Sequence, residues 1–196
     1  MEFLCYHRDR PGSLPVRMDL LEAHWTYMDG FEKELIARGP TVAEDGETLT
    51  GSVHIVDLPG GPAAARAFAF EEPTYQAGGY RDVLLRRWRN LLGRTMWEFP
   101  GGLGSLGEDS ALFLVLGLGV PLPLDAGRAP DLAVPADLGG DLIAYGPMLS
   151  DDGTTWLGTA AILRAPDAEA ARSVLTAADE RYAAIEAHAW GPGGRR

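Results

Sequence analysis

The sequence predicts an α+β protein built from two copies of one small unit. Three observations carry this. Apolar and β-branched runs alternate with stretches of helical spacing in the order β-α-β-β-α-β. The order then recurs further along the chain. Between 34–59 and 141–166, at an offset of 107 without a gap, eleven of 26 positions are identical. About two would match by chance at average residue usage. A repeat of this length reads as one supersecondary unit used twice, and the order is that of the ferredoxin-like split unit.

The elements follow in order. Phe3 to His7 is a strand, and Arg8-Asp9-Arg10-Pro11-Gly12 is the loop after it. A long helix is expected from about Leu14 to Arg38, with Ser13 as cap, Pro15 in the first turn and Gly39-Pro40 as the stop. Leu14, Met18, Leu21, Trp25, Met28 and Leu35 mark its apolar stripe, and Asp19, Glu22, Thr26, Asp29 and Lys33 its outer side. Pro40 to Ala43 is a short strand, Glu44-Asp45-Gly46 a turn, and Gly51 to Asp57 a strand rich in β-branched residues. A second helix spans Ala63 to Glu71 or Glu72, and a fourth strand Val83 to Trp88. In the second copy the strand Ala111 to Val120 comes first. The segment Asp125 to Gly140 follows, broken by Pro130, Pro135 and Gly139-Gly140. A helix from Asp167 to about Ala184 and a strand Ile185 to Trp190 close it. The units are then 1–90 and 110–196, joined by a glycine-rich linker at 91–109.

His24 draws attention because Leu20, Leu21, Tyr27 and Met28 stand three and four residues away, none of them charged. Two readings stand side by side: a core histidine bonded to a backbone carbonyl, and a proton-transfer residue opening onto an apolar cavity. The copies differ here, since at the same offset His24 becomes Asp131.

The net charge of −11 argues against nucleic acid and anionic membrane as partners. The single cysteine, Cys5, cannot form an internal disulfide and suits a reducing compartment. Met1 to Tyr6 lacks a basic leader, and the longest apolar run, Ala111 to Leu124, is 14 residues and too short to span a bilayer. A cytoplasmic protein is expected. The four histidines (His7, His24, His54, His188) lack metal-site spacing, so neither a metal nor a cofactor is expected. Gly101, Gly102, Gly104 and Gly107 are followed by no Lys-Ser or Lys-Thr and are not a phosphate cradle.

Ser13-Leu14, Arg17, Ala23-His24, Gly39-Pro40, Gly51-Ser52, Glu72-Pro73, Tyr75, Ala77-Gly78 and Tyr80, in this order and spacing, resemble the YciI-like (YCII-related) family. The resemblance implies ferredoxin-like units paired sheet to sheet as a dimeric α/β barrel, here within one chain. It implies a His–carboxylate dyad formed by His24 and Glu72, with Glu72 standing where the family's Asp-Pro-Tyr pattern has aspartate. One branch of the family resembles dehydrochlorinases, and the wider superfamily includes lactone isomerases and cofactorless monooxygenases.

The expected function is a cofactor-independent lyase or isomerase acting on a small activated carbonyl or phenolic compound, by elimination, isomerisation or cyclisation. His24 would be the general base and Glu72 its orienting carboxylate. Tyr6, Tyr27, Tyr75, Tyr80 and His54 would contact the substrate, with Tyr27 or Tyr80 meeting developing negative charge. Ordinary packing is the other reading of each tyrosine. The alternatives are a non-catalytic small-molecule binding protein and a cofactorless oxygenase. Homodimerisation is left open.

Overall fold

In the computed structural model, residues 1–100, 102–103, 110–124, 134, 140–176 and 181–194 are described. The chain divides into two units, Met1–Leu85 with Gly191–Arg196, and Arg86–Trp190.

In the first unit β1 (Glu2–Asp9) pairs antiparallel with β3 (Leu49–Asp57), and β3 pairs antiparallel with β2 (Leu35–Val42). Directly opposed residues share a face. Cys5 stands across from His54 and His54 across from Arg38, while His7 faces Ser52 and Ser52 faces Pro40. Two polar rows therefore cross one face of the sheet. β4 (Tyr80–Trp88) begins beside β1: Arg10 N donates to Gly79 O at 3.0 Å, and Arg8 Nε to Asp82 Oδ1 at 2.7 Å. α1 (Leu14–Asp19), α2 (Leu21–Asp29), α3 (Gly61–Phe70) and the single turn α4 (Pro73–Gln76) complete the unit. Met28, Ala65 and Phe68 pack onto Phe3, Leu35 and Val56 in the core.

The long first helix is corrected in three ways. It is two short helices that end at Gly30, not one that reaches Arg38. Leu14 and Met18 are exposed rather than on a buried stripe. Ser13 makes no side-chain cap bond; its carbonyl accepts from Arg17 N at 3.0 Å. Leu35-Ile36-Ala37-Arg38 continues the helical spacing, but all four are buried, and Leu35, Ala37 and Arg38 pair with β3 around a bulge at Ile36, so the strand begins at Leu35 and not at Pro40. Tertiary burial outweighs local propensity here.

In the second unit β5 (Ala111–Pro123) lies between β8 (Tyr182–Trp190) and β7 (Thr155–Ala165), and β7 pairs with β6 (Leu142–Leu149), all antiparallel. The end of β4 joins this sheet through Arg87 opposite Leu149 and Trp88 opposite Met148. α5 (Ala168–Thr176) starts where expected, with Asp167 Oδ1 accepting from Ala170 N at 2.8 Å. The expected linker contains a 3-10 helix, Met96–Glu98, and buried Met96 and Phe99, which belong to this unit. The broken segment 125–139, apart from Val134, lies outside the described residues, as do residues 177–180 and Gly101, Gly104 and Gly107. The expected helix does not run on to Ala184: β8 begins at Tyr182 rather than Ile185, and Tyr182 and Ala184 pair with β5. Each unit is thus a mixed α+β assembly of antiparallel strands with few helices, in the strand order of a ferredoxin-like unit. No helix among the described residues is long and apolar enough to cross a membrane.

The Gly-Pro pair that recurs in the sequence is a close-approach point, not a helix stop. In the first unit Gly191 N donates to Pro40 O at 3.1 Å, and a Cβ on Gly39 would lie 1.8 Å from Gly191 O. In the second unit Arg89 N donates to Pro147 O at 3.3 Å, and a Cβ on Gly146 would lie 1.7 Å from Arg89 O. Only glycine lets the backbones meet. Gly39→Ala should therefore lower the unfolding free energy in denaturant titration by about 1–3 kcal/mol. Gly140→Ala, where a Cβ meets nothing within 4 Å, should change it little.

Candidate active site

The site is built in the first unit by one helical stripe, one sheet face and one returning segment. Arg17, Leu21, His24, Trp25 and Met28 recur at three- and four-residue spacing along α1 and α2. Arg38 and Pro40 from β2, and Ser52 and His54 from β3, face them. Residues 192–194 form the remaining edge. Together they line a cavity of about 210 Å³.

His24 Nδ1 stands 2.8 Å from Glu72 Oε1. The ring is partly buried and lines the cavity, whereas Glu72 is fully buried. The other carboxylate oxygen of Glu72 accepts from Tyr75 N at 2.7 Å, so the same side chain caps α4. Pro73 follows it in the first helical turn, where no N–H is needed. Burial pushes the Glu72 carboxyl upward. The hydrogen bond and charge of His24, with the backbone N–H groups of Thr74 and Tyr75, outweigh it, and the net shift is downward. Glu72 is therefore an anion that accepts from His24 Nδ1–H, and Nε2 is the nitrogen left for the cavity.

His54 is buried, with its ring centroid 5.8 Å from that of His24 and 6.1 Å from that of His7. Burial, then the neighbouring charges of His24, His7, Arg38 and Arg17, pull its pKa well down, so it is neutral. Its Nδ1 is buried without a hydrogen-bond partner. His7 is also held down by burial, and its Nε2 donates to Ala69 O at 2.8 Å. Arg17 reaches both Asp9 oxygens at 2.8 Å and Ser52 Oγ at 2.8 Å. Burial raises the Asp9 carboxyl, against the pull of Arg17.

The tyrosines lie elsewhere; none lines this cavity. Tyr27 Oη donates to Ala67 O at 3.2 Å and Phe68 O at 3.1 Å, and burial, then Glu71 and Glu72, push its phenol up to about 12. Tyr6 Oη pairs with Thr41 Oγ1 at 3.1 Å. Tyr75 gives Glu72 its backbone N–H while its ring packs on Phe70 at 5.0 Å. Tyr80 is buried 4.6 Å from the His7 ring, and burial raises its phenol. Cys5 is buried, and burial raises its thiol, with Glu72 adding to the effect. The structure thus brings together His24, Glu72 and His54. It adds Arg17, Arg38 and residues 192–194, which sequence reasoning passed over as site residues; the glycine run after Trp190 was the available signal. Among the described residues no group of three or more His, Cys, Asp or Glu could hold a metal.

Fold and site define a class: an α+β chain with a ferredoxin-like unit that carries a histidine–carboxylate pair at a small cationic cavity. Residues 1–89 match the YCII-related domain, and the chain belongs to that family. It is 31% identical to 5-chloro-2-hydroxyhydroquinone dehydrochlorinase from Burkholderia phenoliruptrix AC1100, solved with 2,5-dihydroxybenzoquinone; the match covers 48% of this chain and 99% of that one, with a TM-score of 0.44. A candidate monooxygenase from Lactobacillus acidophilus NCFM is 7% identical over 98% of this chain and 96% of its own, with a TM-score of 0.45. One from Fusobacterium nucleatum is 7% identical over 97% and 91%, with a TM-score of 0.48. No curated protein is similar to the chain in sequence at a significant level.

The lowered Glu72 carboxyl makes stability pH-dependent with a definite sign. The folded state holds this proton less tightly than the unfolded chain, whose carboxyl has the ordinary value near ~4.3. Its contribution is complete above that value and is lost as the pH falls through the lower, folded one. In denaturant titrations from neutral to acid pH, Glu72→Gln should flatten the acid fall of the unfolding free energy, its deficit against wild type shrinking as the pH drops.

Proposed function

We propose that this protein is a cofactor-independent lyase or isomerase that removes a proton from a small activated carbonyl or phenolic compound. The observation that carries this reading is the 2.8 Å contact of His24 Nδ1 with the buried Glu72 carboxylate, on a ring that lines a cavity. Glu72 fixes the tautomer, so Nε2 presents its lone pair to the substrate. His24 takes a proton from carbon. The C–H electron pair passes into an enolate or phenolate, and the imidazolium is stabilised by Glu72. In an elimination, that pair then forms the new double bond and the leaving group departs as an anion. Negative charge that develops on a substrate oxygen meets the guanidiniums of Arg17 and Arg38, the part first given to Tyr27 or Tyr80. The relative that is 31% identical is a dehydrochlorinase solved with a hydroxylated quinone, which supports elimination on an oxygenated ring. The repeated sequence, with a second set of elements in matching order, supports descent of the two units from a duplication.

Chloride release from 5-chloro-2-hydroxyhydroquinone and related halogenated phenols tests the reading. His24→Gln should lower kcat by about 10²–10⁴-fold, with an unchanged circular dichroism spectrum, and Glu72→Gln should lower it by less. Wild-type turnover by His24→Gln would end the assignment of His24 as the base, and no turnover by the wild type would leave a binding protein.

A further inference from the structure

The cavity has one sign of charge. Among the described residues that line it there are two guanidiniums and no carboxylate, although the chain carries a net −11. The two arginines are held differently. Arg17 is met by both oxygens of Asp9 at 2.8 Å, so its charge is largely compensated. Arg38, 9% exposed, has its Nε held by the carbonyl of Gly193 at 3.1 Å, while Gly193 N donates to Arg38 O at 3.1 Å. Asp29 Oδ1, on a half-exposed side chain, stands 3.7 Å from Nη1. Arg38 is thus fixed by a carbonyl and paired with Asp29, and it lines the cavity.

The segment that does this is shaped for it. A Cβ on Gly194 would lie 2.2 Å from Arg38 Cζ, and Gly194 has φ +102. A Cβ on Gly193 would lie 2.9 Å from Gly39 Cα. Across the strand pair from Arg38 stands His54, neutral, 3% exposed, with Nδ1 lacking a partner. A buried polar atom left in that state is costly unless a ligand completes it.

We propose that Arg38 is the anion-recognising residue of this cavity, that His54 Nδ1 takes a second polar atom of the same ligand, and that Gly193 and Gly194 are the positioning element that holds the Arg38 guanidinium on the cavity wall. The ligand is an anion of about one ring: a cavity of ~150 Å³ takes a benzene, drug-sized sites begin near ~300 Å³, and this one measures about 210 Å³. This deepens the reading of the cavity as the substrate site but makes no use of His24 as a base.

Calorimetric titration at neutral pH tests it with two probes of equal ring size. 2,5-Dihydroxybenzoquinone, a vinylogous acid, is ionised; hydroquinone is neutral. The wild type should bind the anion at least tenfold more tightly. The ratio of the two affinities is the readout, because a merely loosened fold weakens both probes alike. Arg38→Gln should bring the ratio close to one. Gly194→Ala, whose new methyl displaces the guanidinium, should lower it comparably, and the double variant should lower it no further. His54→Phe should weaken the anion while leaving part of the preference. Equal affinity for the two probes, binding of neither, or an unchanged ratio in Arg38→Gln would overturn the proposal. A preserved ratio in Gly194→Ala would overturn its positioning half. A ratio that depends on Arg38, together with full turnover in His24→Gln, would sink the catalytic assignment and leave this one standing.

Discussion

The Glu72 carboxylate is the constraint on which the first unit depends. A buried carboxylate is tolerated only when its oxygens are met. Here one oxygen caps α4 through Tyr75 N, and the other receives His24 Nδ1–H. The two bonds pull from different elements, so the side chain ties α2 to the turn before β4. Remove it and three things go together: the cap of a four-residue helix, the orientation of the imidazole, and the compensation of a partly buried ring. Glutamate, one methylene longer than aspartate, spans the gap from the start of α4 to α2 at ordinary hydrogen-bond length.

The electrostatics around that bond are layered rather than uniform. The anion sits behind His24, out of the cavity, and the cations sit on the cavity wall. His54 lies between, kept neutral by burial and by the surrounding positive charge. Such a gradient suits a reaction in which a proton moves toward Glu72 and negative charge grows on the opposite side. The sheet register produces it. Antiparallel pairing puts Arg38, His54 and Cys5 in one row and Pro40, Ser52 and His7 in the next, so strand alternation alone delivers the polar residues to the helix-facing side.

Much of this was legible in the chain. Strand alternation located Ser52 and His54 on one face, and the family pattern paired His24 with Glu72 over 48 residues of sequence. The long helix was misread because Leu35-Ile36-Ala37-Arg38 keeps helical spacing after Met28; only burial against β3 makes it a strand. That error hid Arg38, placed at a helix end when it is in mid-strand. The partner of Gly193 was hidden for another reason: the glycine run marks a special backbone, but its bond to Arg38 spans 155 positions, and no local pattern encodes so distant a contact. The tyrosines looked like pocket residues by type, yet those whose hydroxyls are fixed by Ala67, Phe68 and Thr41 are structural by geometry.

The repeat shows what the site requires by showing where it is missing. Gly39 and Gly146 are the same position in the sequence repeat, and each admits a passing backbone within its own unit. The architecture is therefore kept in both. The chemistry is not. At the same offset Arg38 is replaced by Tyr145, and His54 by Ala161. Both of these lie in the apolar core of the second unit, packed with Leu142 and Leu163. A face that carries a guanidinium and an imidazole with an unpartnered Nδ1 in one unit is closed by Tyr145 and Ala161 in the other. Close packing is what such a sheet face adopts when nothing else constrains it. The cationic hollow of the first unit departs from that default at the cost of buried polar groups, a cost that the proposed ligand would offset by meeting them.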